Sequence, residues 1–502
     1  MSKAYIIGTG PTDEELLTLK AVRVLKKCTA VLYDRLVSNN ILNYLNDDCK
    51  IYYCGKEPGS HYKTQEEINA SIVKLAKEGH IVGRIKGGDP YVFGRGGEEV
   101  LALVEENIDF EVIPGVTSPI AVLNYAGIPI TQRAMAQSFH IVTGMSAGSS
   151  KINYEALAKE TGTLVFMMGL ENLDLIIDRL LQNGKDKNTK AAVVMRGTSS
   201  KQKKIVGTIE DISEKVKEAG LKSPCIIVFG EVVSLNDKLD WYGKKPLFGA
   251  NVCVTRTREQ SKSLKEKLID LGAEVTEINS IKIQGTEDNL KDYLDKIEYY
   301  DHIILTSVNG VNKLFDYLIN ENYDIRKIKA KFSVIGKATK NALQARGIQP
   351  FMMAREFVGE GMFKALEPEL KRGENVLIPC SSSSRTYLKE EIESLGLNVD
   401  RVHTYDTVCG EIKNHKAFEE VDIILYTSPS TVKNMINMIG LEEIKKKINI
   451  AIGPQTNKAL VESGIEGLIC KKHSEDGFLE EIVDIYKGNT DSPMFVGVSS
   501  VN

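Results

Sequence analysis

The sequence contains no apolar run that approaches the roughly 18–20 residues needed to cross a bilayer, and residues 1–8 lack the apolar core of a signal peptide. These absences predict a cytoplasmic protein without membrane spans. Acidic and basic residues nearly balance, with 64 Lys and Arg against 68 Asp and Glu and a net charge of −4, and the basic residues form no blocks. We therefore expect no partner that is recognised through concentrated positive charge, such as nucleic acid or an anionic membrane surface.

Cysteine is sparse and scattered. The eight cysteines form no C-x-x-C pair, and no histidine stands at metal-ligand spacing from any of them. This pattern favours reduced, buried cysteines over disulfides or zinc, so we expect no metal. Tryptophan occurs only once, but 42% of the residues are apolar and 26% are charged, which is typical of globular domains. The 502 residues suffice for about three or four domains of ~100–200 residues each.

Short apolar runs alternate with segments of helical period along the chain. The apolar run at residues 5–7 is followed by a helical pattern over 14–26 and by another apolar run at 30–33. Repeated strand-helix-strand units of this kind predict an α/β fold with largely parallel sheets. A polar segment ends at Gly249 and a new strand pattern starts at Asn251, so we predict a linker at 244–249 between two halves.

The second half contains a weak internal repeat. Residues 305–311 recur as 426–432, and residues 335–339 recur as 452–456. In each copy, a strand runs into a turn rich in Ser and Thr at the start of a helix, and a later strand ends in Gly before a helix. The repeat predicts two similar α/β lobes with a cleft lined by strand ends. The tail at 488–502 has no clear period and is left unassigned.

Three loops that follow strands in the first half can contact a small ligand. The loop that starts at Gly8 resembles a dinucleotide-binding turn, but Asp13 replaces the third glycine of that motif, so we expect neither a nicotinamide nor a flavin. The second loop has five glycines between residues 87 and 97, which lets backbone groups reach a ligand, and its Asp89 suits a ribose hydroxyl or a cation. The third loop, at 113–119, offers hydroxyls at a helix start.

Several segments of the first half stand in the order found in one enzyme family. They are Gly8-Thr9-Gly10-Pro11, residues 16–21, 33–38, Gly55-Lys56, and residues 65–69, 87–99, 114–118, 127–131, 164–170, 230–233 and 237–242. Together they resemble uroporphyrinogen-III C-methyltransferase, and the resemblance covers residues 1–243. It implies a two-lobed tetrapyrrole methylase fold, usually a homodimer, that binds S-adenosylmethionine as co-substrate between its lobes.

The resemblance also implies site residues. The S-adenosylmethionine contacts would be Pro11, Gly87, Gly88, Asp89, Val92, Thr117, Ser118, Met168 and Gly197. Asp34 and Lys56 match positions with proton-acceptor and proton-donor roles. Because Asp34 follows an apolar strand, it is a reasonable base for the proton that leaves the methylated macrocycle; the alternative is a helix cap or a partner for Arg35.

The carboxylates of a tetrapyrrole substrate require cations in the methyltransferase cleft. The candidates are Arg84, Lys86, Arg95 and Arg133, and the alternative for each is a solvated surface charge.

The first half departs from the family pattern at two places. Thr12 and Glu14 replace a glycine and a proline of the family's Gly-Pro-Gly-Asp-Pro, and Gln132 replaces a histidine. Both changes affect loops near the substrate. A nicotinamide-binding domain is also missing, so we do not expect the oxidation and iron-insertion steps of siroheme synthases.

Residues 250–487 contain no phosphate loop, nucleophile elbow or metal cluster, only hydroxyls at strand ends and scattered cations. The repeat, together with residues 254–256, 377–380, 404–407, 427–430 and 452–456, resembles uroporphyrinogen-III synthase. The resemblance implies a cofactor-free fold with lobe A at 250–283 and 411–487 and lobe B at 284–410.

Four residues of the second half are candidates for synthase chemistry. Tyr405 could donate its O–H to the leaving hydroxyl, and Ser428, Ser430 and Thr456 could grip substrate carboxylates. The alternatives are a packed aromatic for Tyr405 and simple helix capping for Ser428 and Thr456.

The two resemblances predict a bifunctional enzyme of porphyrin, siroheme or cobalamin biosynthesis. The second half would cyclise hydroxymethylbilane to uroporphyrinogen III, and the first would methylate that product twice, at C2 and C7, to precorrin-2. One alternative is a tetrapyrrole methyltransferase of other specificity, and another is a C-terminal half that senses a ligand without catalysis.

Overall fold

A computed structural model describes residues 3–55, 64–146, 151–354, 359–412 and 416–488. The chain forms two compact units. One comprises Met1–Ile278 and Ile412–Asn502, and the other comprises Asn279–Glu411.

The strands, in chain order, are β1 (Lys3–Gly8), β2 (Ala30–Tyr33), β3 (Lys50–Tyr53), β4 (Ile81–Lys86), β5 (Asp109–Ile113), β6 (Phe139–Thr143), β7 (Thr163–Met167), β8 (Lys190–Met195), β9 (Lys203–Thr208), β10 (Cys225–Phe229), β11 (Asn251–Val254), β12 (Glu274–Glu277), β13 (Ile281–Gly285), β14 (His302–Leu305), β15 (Lys331–Val334), β16 (Met352–Met353), β17 (Asn375–Ser381), β18 (Asn398–Cys409), β19 (Ile423–Tyr426), β20 (Ile448–Ala451) and β21 (Leu468–Ile469).

The α-helices are α1 (Leu19–Leu25), α2 (Gln65–Lys77), α3 (Gly96–Glu105), α4 (Ser118–Tyr125), α5 (Tyr154–Lys159), α6 (Leu173–Gln182), α7 (Ile212–Glu218), α8 (Asn236–Leu239), α9 (Arg258–Asp270), α10 (Val308–Asn320), α11 (Lys337–Gln344), α12 (Gly359–Leu366), α13 (Tyr387–Ser394), α14 (Lys416–Glu419), α15 (Pro429–Ile439), α16 (Leu441–Lys445), α17 (Pro454–Glu462) and α18 (Glu475–Gly488). Short 3₁₀ helices span Glu14–Leu16, Asn39–Tyr44, Gly144–Ser146, Leu170–Asn172, Glu231–Leu235, Glu287–Tyr299, Ile325–Lys327 and Glu367–Glu369.

The N-terminal sheet is parallel throughout, with the strand order β3-β2-β4-β1-β5. Its strands are nearly continuous apolar runs because helices cover both faces: Ile7 packs in the core that contains Val24 of α1, whereas Ile6 packs in the core that contains Ile72 of α2. Since all strands point the same way, the loops that follow β1, β2, β4 and β5 lie at one edge.

The second sheet has the order β6-β7-β10-β8-β9, with β6 and β7 parallel and the remaining neighbours antiparallel. One face packs on α6, whose buried residues recur at helical spacing, from Leu173 to Leu180. In the same core, the rings of Phe166 and Phe229 meet edge to face with centroids 5.9 Å apart.

The third and fourth sheets confirm the internal repeat. The third sheet, in the first unit, has the order β12-β11-β19-β20-β21, and the fourth, in the second unit, has the order β13-β18-β17-β14-β15-β16. Five strands of the fourth sheet, β18-β17-β14-β15-β16, match the third sheet position by position. In both sheets, the strand followed by the Ser-containing turn (β19 or β14) lies between two strands: the one that leads into a glycine (β20 or β15) and one further strand (β11 or β17).

The structure differs from the sequence prediction in three details. The helical pattern over 14–26 becomes a short 3₁₀ helix and the seven-residue α1, with Thr18 capping α1 by accepting the Ala21 N–H. The boundary between the lobes falls after Ile278, not after 283, because β13 pairs with β18. Within the segment predicted as a linker, Leu247 is fully buried in the core of the third sheet. The tail beyond residue 488 lies outside the described residues. Among the described helices, none has both the length and the apolar character to cross a membrane.

Candidate functional site

The loops after β1, β4 and β5 meet backbone to backbone at the edge of the N-terminal sheet. Gly10 and Gly88 exchange two hydrogen bonds, of 3.2 and 2.6 Å, between their N–H and C=O groups. A side-chain carbon on Gly8 would lie 2.6 Å from the Gly115 nitrogen and 2.8 Å from the Gly88 oxygen. The glycines are therefore required for this approach, and we name the meeting point of the three loops the glycine junction (residues 8–10, 87–89 and 115).

Asp89 ties the glycine junction together. Its Oδ1 accepts the Tyr91 N–H at 2.8 Å and its Oδ2 accepts the Gly115 N–H at 3.1 Å. Both carboxylate oxygens thus bind backbone amides of this chain, which fixes the loops around any ligand that lies on the junction.

A buried cluster of four charged side chains lies beneath these loops. Arg84 Nε and Lys86 Nζ each lie 2.9 Å from Glu99 Oε1, and Arg84 Nη2 lies 3.0 Å from Asp34 Oδ2. Arg84 and Lys86 are only 3% and 5% exposed, and Glu99 is fully buried. Burial, together with the charge of Arg84, lowers the pKa of Lys86.

The buried cluster corrects one prediction. Arg84 and Lys86 were expected to meet the carboxylates of the substrate, but they bind Glu99 and Asp34 of this chain instead. A cation that is buried against an internal carboxylate cannot also grip a bulky ligand in solvent, so their role is to organise the site.

Asp34 follows β2 and is the partly exposed member of the cluster, with 29% of its side chain accessible. Its Oδ1 accepts the Leu36 N–H at 3.1 Å, while Oδ2 binds Arg84. Its ion-pair partner is therefore Arg84 and not the neighbouring Arg35. A side-chain carbon on Gly87 would lie 2.8 Å from the Leu36 oxygen, so the Asp34 loop adjoins the glycine junction. Lys56, the expected proton donor, lies outside the described residues.

Other residues predicted to bind S-adenosylmethionine surround the glycine junction. Ser118 opens α4, and its Oγ lies 3.4 Å from the position of a side-chain carbon on Gly88; Thr117 precedes it with its hydroxyl unused as a cap. Gly197 packs against Val122 of α4, where any side chain would overlap. Pro11 is buried, and Val92 donates its N–H to the Asp89 carbonyl. Ser118 and Gly197 are thus linked through α4, whereas Pro11 and Val92 stand close to the glycine junction along the chain.

Met168, Arg95 and Arg133 are the more exposed predicted residues of this half. Met168 directly follows β7 with φ at 53° and is 42% exposed. The Arg95 guanidinium lies on Glu98, with contacts of 2.9 and 2.7 Å, and Arg133 is exposed between α4 and β6. All three side chains are exposed to solvent.

In the second half, polar groups collect at the carboxyl edge of the third sheet. Arg256 follows β11 and donates Nε–H to Thr427 Oγ1 at 2.8 Å. Ser428 caps α15 by accepting the Thr431 N–H, and its Oγ lies 2.9 Å from Ser430 Oγ. We name Arg256, Thr427, Ser428 and Ser430 the serine edge.

Arg256 is a cation that the sequence pattern did not distinguish from the other scattered basic residues of this half. Burial lowers its pKa, and among the described residues no carboxylate lies within 4 Å of its guanidinium. The only signal in the sequence was its position directly after a strand. Thr456 lies in α17 and is 3% exposed; its binding role stays a prediction.

Tyr405 lies on β18 in the second unit. It is 6% exposed, and its hydroxyl lies 2.8 Å from Ser307 Oγ, which also accepts the Gly310 N–H at 3.0 Å as the cap of α10. Burial raises the pKa of Tyr405, and the hydrogen bond to Ser307 opposes the shift. The structure thus adds Ser307, a residue of the repeated Ser- and Thr-containing turn, as the partner of this phenol.

Comparisons with known proteins match the two halves of the chain to two different families. The family model for tetrapyrrole (corrin/porphyrin) methylases matches residues 3–213, and the model for uroporphyrinogen-III synthase HemD matches residues 262–480. A porphyrin biosynthesis protein HemD of Ruminiclostridium josui is 35% identical over 494 residues, which are 96% of this chain and 98% of the relative.

Proteins similar to the first half alone are also known. A uroporphyrinogen-III C-methyltransferase of Methanocaldococcus jannaschii is 48% identical over 237 residues, which are 47% of this chain and 98% of the relative. The crystal structure of uroporphyrin-III C-methyl transferase from Thermus thermophilus, complexed with S-adenyl homocysteine, is 38% identical with a TM-score of 0.40 and covers 46% of this chain and 99% of that one.

Three observations lead to the same conclusion: the parallel sheet with its glycine junction, the repeated lobes, and the sequence matches over nearly the whole length of the chain. The chain belongs to the tetrapyrrole methylase family in its N-terminal half and to the uroporphyrinogen-III synthase family in its C-terminal half, and it is a bifunctional enzyme of tetrapyrrole biosynthesis.

Proposed function

We propose that the C-terminal half cyclises hydroxymethylbilane to uroporphyrinogen III with release of water. The N-terminal half then transfers methyl groups from S-adenosylmethionine to C2 and C7 of that product, giving precorrin-2. The glycine junction carries the proposal for the first half because it combines close backbone approach with an oriented carboxylate. The names of the relatives from M. jannaschii and R. josui support the two activities.

Methyl transfer requires the sulfonium methyl, the attacking pyrrole carbon and the sulfur to lie in line. Alignment supplies much of the rate of such a step. S-adenosylmethionine would be held by three kinds of group. They are the backbone groups at Gly87, Gly88 and Gly197, the hydroxyls of Thr117 and Ser118, and the side chains of Pro11, Asp89, Val92 and Met168. These groups stand on loops fixed by Asp89 and by α4, so the bound donor cannot drift from the reactive geometry.

The proton that leaves the methylated macrocycle requires a base. Asp34 takes this role in our proposal, because one of its oxygens is fixed by the buried Arg84 while 29% of the side chain remains accessible. We assign Lys56 the proton-donor role of the matching family position, while the proton that Asp34 accepts passes on to solvent. Arg95 and Arg133 would bind substrate carboxylates, since both are exposed.

Ring closure requires departure of a hydroxyl and control of a flexible polyanion. Ser307 accepts the Gly310 N–H and can donate its own proton to the Tyr405 oxygen, which leaves the phenol O–H for the departing hydroxyl. Arg256, Ser428 and Ser430 on the serine edge would bind carboxylates of the substrate. The half-buried guanidinium, which has no carboxylate within 4 Å among the residues that the structure describes, supports this assignment.

Both activities can be tested on the full-length chain. Hydroxymethylbilane is added with and without labelled S-adenosylmethionine, and the products are separated by isomer after oxidation. We expect uroporphyrinogen III alone without S-adenosylmethionine and doubly labelled precorrin-2 with it. Lack of label in a folded protein would refute the methyltransferase assignment.

The same assay tests the alternative of a ligand-sensing C-terminal half. A sensor would leave only the spontaneous, uninverted isomer of uroporphyrinogen. Tyr405→Phe provides the internal comparison: we expect slower formation of the inverted isomer with unchanged methylation of added uroporphyrinogen III.

We also propose a homodimer in the cytoplasm. The N-terminal half exposes large apolar side chains, including Leu19 at 91% and Tyr91 at 58%, which favours a subunit contact there. Seven of the eight cysteines are buried thiols, with Cys409 as the exception, as is typical of a reducing compartment. Light scattering after size-exclusion chromatography would give the mass, and a monomer at micromolar concentration would refute the dimer.

A further inference from the structure

The segment that carries Gly197 adopts an unfavourable backbone conformation. We name residues 196–202, which follow β8, the bridging segment. Arg196 and Thr198 flank Gly197 with φ values of 49° and 69°, a left-handed conformation that side-chain-bearing residues rarely adopt. Such a conformation persists only where surrounding contacts enforce it.

Some of the contacts that hold the bridging segment in this conformation lie within the N-terminal half. The Thr198 N–H binds Gln202 Oε1 at 2.9 Å, and Ser199 Oγ donates to the Arg196 carbonyl at 2.7 Å. Thr198 Oγ1 also accepts the Asp13 N–H at 3.3 Å. The bridging segment is therefore in contact with the loop that holds Pro11.

The remaining contacts that hold the bridging segment come from the C-terminal half, where three carboxylates lie around the third sheet. Arg196 Nη2 contacts both oxygens of Glu420 at 2.6 and 2.5 Å. Lys201 Nζ contacts both oxygens of Asp422 at 3.0 and 3.1 Å. These two ion pairs clamp the bridging segment near both of its ends.

The third carboxylate lies between those two ion pairs. Glu274 of β12 accepts from both the N–H and the Oγ of Ser200, at 2.8 and 2.7 Å. Ser200 is 5% exposed, so these hydrogen bonds are shielded from water.

The first loop is anchored in the same way. Glu14 forms an ion pair with Lys265 of α9, which also contacts Glu277 of β12 at 2.6 Å. Glu14 and Glu277 are nearly buried. Glu14 stands where the methyltransferase pattern has a proline, so one departure of this chain from the family places a contact to the C-terminal half.

We propose that the C-terminal half positions the S-adenosylmethionine site of the N-terminal half. Glu274, Glu420, Asp422 and Lys265 act as positioning residues: they hold the bridging segment and the first loop in the conformation that binds the donor. This inference rests on the proposed methyltransferase function. Only molecules whose backbone is in the binding-competent conformation bind the donor. A contact that increases the fraction of such molecules therefore increases the apparent affinity in proportion.

The test compares two double variants of the full-length chain. Glu420→Gln with Lys201→Met removes both clamps on the bridging segment. Glu443→Gln with Lys445→Met changes charge identically but breaks only exposed pairs on the same half, namely Lys446 with Glu443 and Lys445 with Glu442. For each, calorimetry gives the Kd for S-adenosylhomocysteine and the Tm, and kinetics give kcat and KM for S-adenosylmethionine.

We expect the first double variant to bind S-adenosylhomocysteine about three- to tenfold more weakly, as is usual for coupling between sites, with a matching rise in KM. The control should keep the wild-type Kd. Equal Kd values for both variants would overturn the inference, even if Tm falls, since lost stability alone does not change affinity in the folded state. If the double variant does not fold, Glu420→Gln alone is measured by the same criterion.

Failure of the underlying function would look different. A wild-type chain that binds no S-adenosylhomocysteine contradicts the proposed methyltransferase, whereas wild-type binding that the clamp variants do not weaken contradicts only the positioning role.

Discussion

Asp34 shows how a single residue is prepared for chemistry by its neighbours. The sequence places it after an apolar strand, but its environment is set by Arg84, 50 positions away, and by Glu99 behind Arg84. Arg84 is buried and held by Glu99, so the guanidinium cannot turn away from Asp34. The carboxylate is therefore fixed on one side and accessible on the other.

Replacing Asp34 by Asn tests this role at the residue scale. The amide keeps the size of the side chain but cannot accept a proton, so we expect methylation of uroporphyrinogen III to slow about 100-fold or more, the usual contribution of a general base. The Kd for S-adenosylhomocysteine should stay within about twofold. Glu105→Gln, which alters an exposed carboxylate at the end of α3, serves as the control. Normal turnover in Asp34→Asn would reduce Asp34 to a structural role.

His302 allows a prediction on pH at the same scale. It is fully buried on β14, and its Nε2 lies 3.3 Å from Glu374 Oε2. Burial lowers its pKa below the ordinary value of 6.5, with Lys331 adding to the shift while Glu374 and Asp301 oppose it. Because the unfolded histidine then binds a proton more readily than the folded one, stability is complete above pH 6.5 and decreases as the pH falls below it.

The variant His302→Leu removes that dependence. Urea unfolding at pH 7.5 and pH 5.5 should show a smaller loss of stability on acidification than in the wild type. His473→Leu, which changes an exposed histidine, should retain the wild-type loss. An unchanged loss in His302→Leu would show that other groups govern the acid limb.

At the scale of elements, the glycine junction depends on loops from three strands arriving at one edge. A side-chain carbon on Gly115 would overlap the Gly88 carbonyl oxygen, whereas the same change at Gly97 in α3 meets no atom within 4 Å. We therefore expect Gly115→Ala to fold with lower stability and to lose binding of S-adenosylhomocysteine by at least tenfold, while Gly97→Ala binds normally. Normal binding by Gly115→Ala would mean that the junction is not part of the donor site.

The sequence predicted the elements and their order well, because strands that are apolar along their length and turns with Gly or Ser are local signals. The apolar run that forms β2 and the serine at the start of α15, Ser428, are examples of such local signals. The partners were not predictable: the sequence offers Arg84 as a cation for substrate carboxylates because nothing local marks Glu99, which lies 15 residues away at the start of another element. The same holds for Arg196 and Glu420, which are 224 residues apart.

At the scale of the whole molecule, the functional halves do not coincide with the compact units. The first unit joins the entire N-terminal half to β11, β12 and β19–β21, while residues 279–411 form the second unit. An aromatic cluster strengthens this union: the ring of Tyr125 lies 4.8 Å from Tyr242, whose ring lies 5.2 Å from Phe248. The segment expected to be a linker is thus part of a core.

This arrangement predicts how far the effect of a bound ligand extends. S-adenosylhomocysteine at 100 times its Kd stabilises the unit that binds it by about 2.7 kcal/mol, and unfolding of that unit as a whole would spread the protection to all its slowly exchanging amides. Hydrogen exchange should therefore slow in β12 and β19 of the C-terminal half as well as in β1 and β4. The strands β14 and β15 of the second unit provide the internal control and should exchange at an unchanged rate. Protection that stopped at residue 243 would show that the N-terminal half unfolds independently, and the ion pairs of Glu420, Asp422 and Lys265 would then contribute too little to couple the two halves.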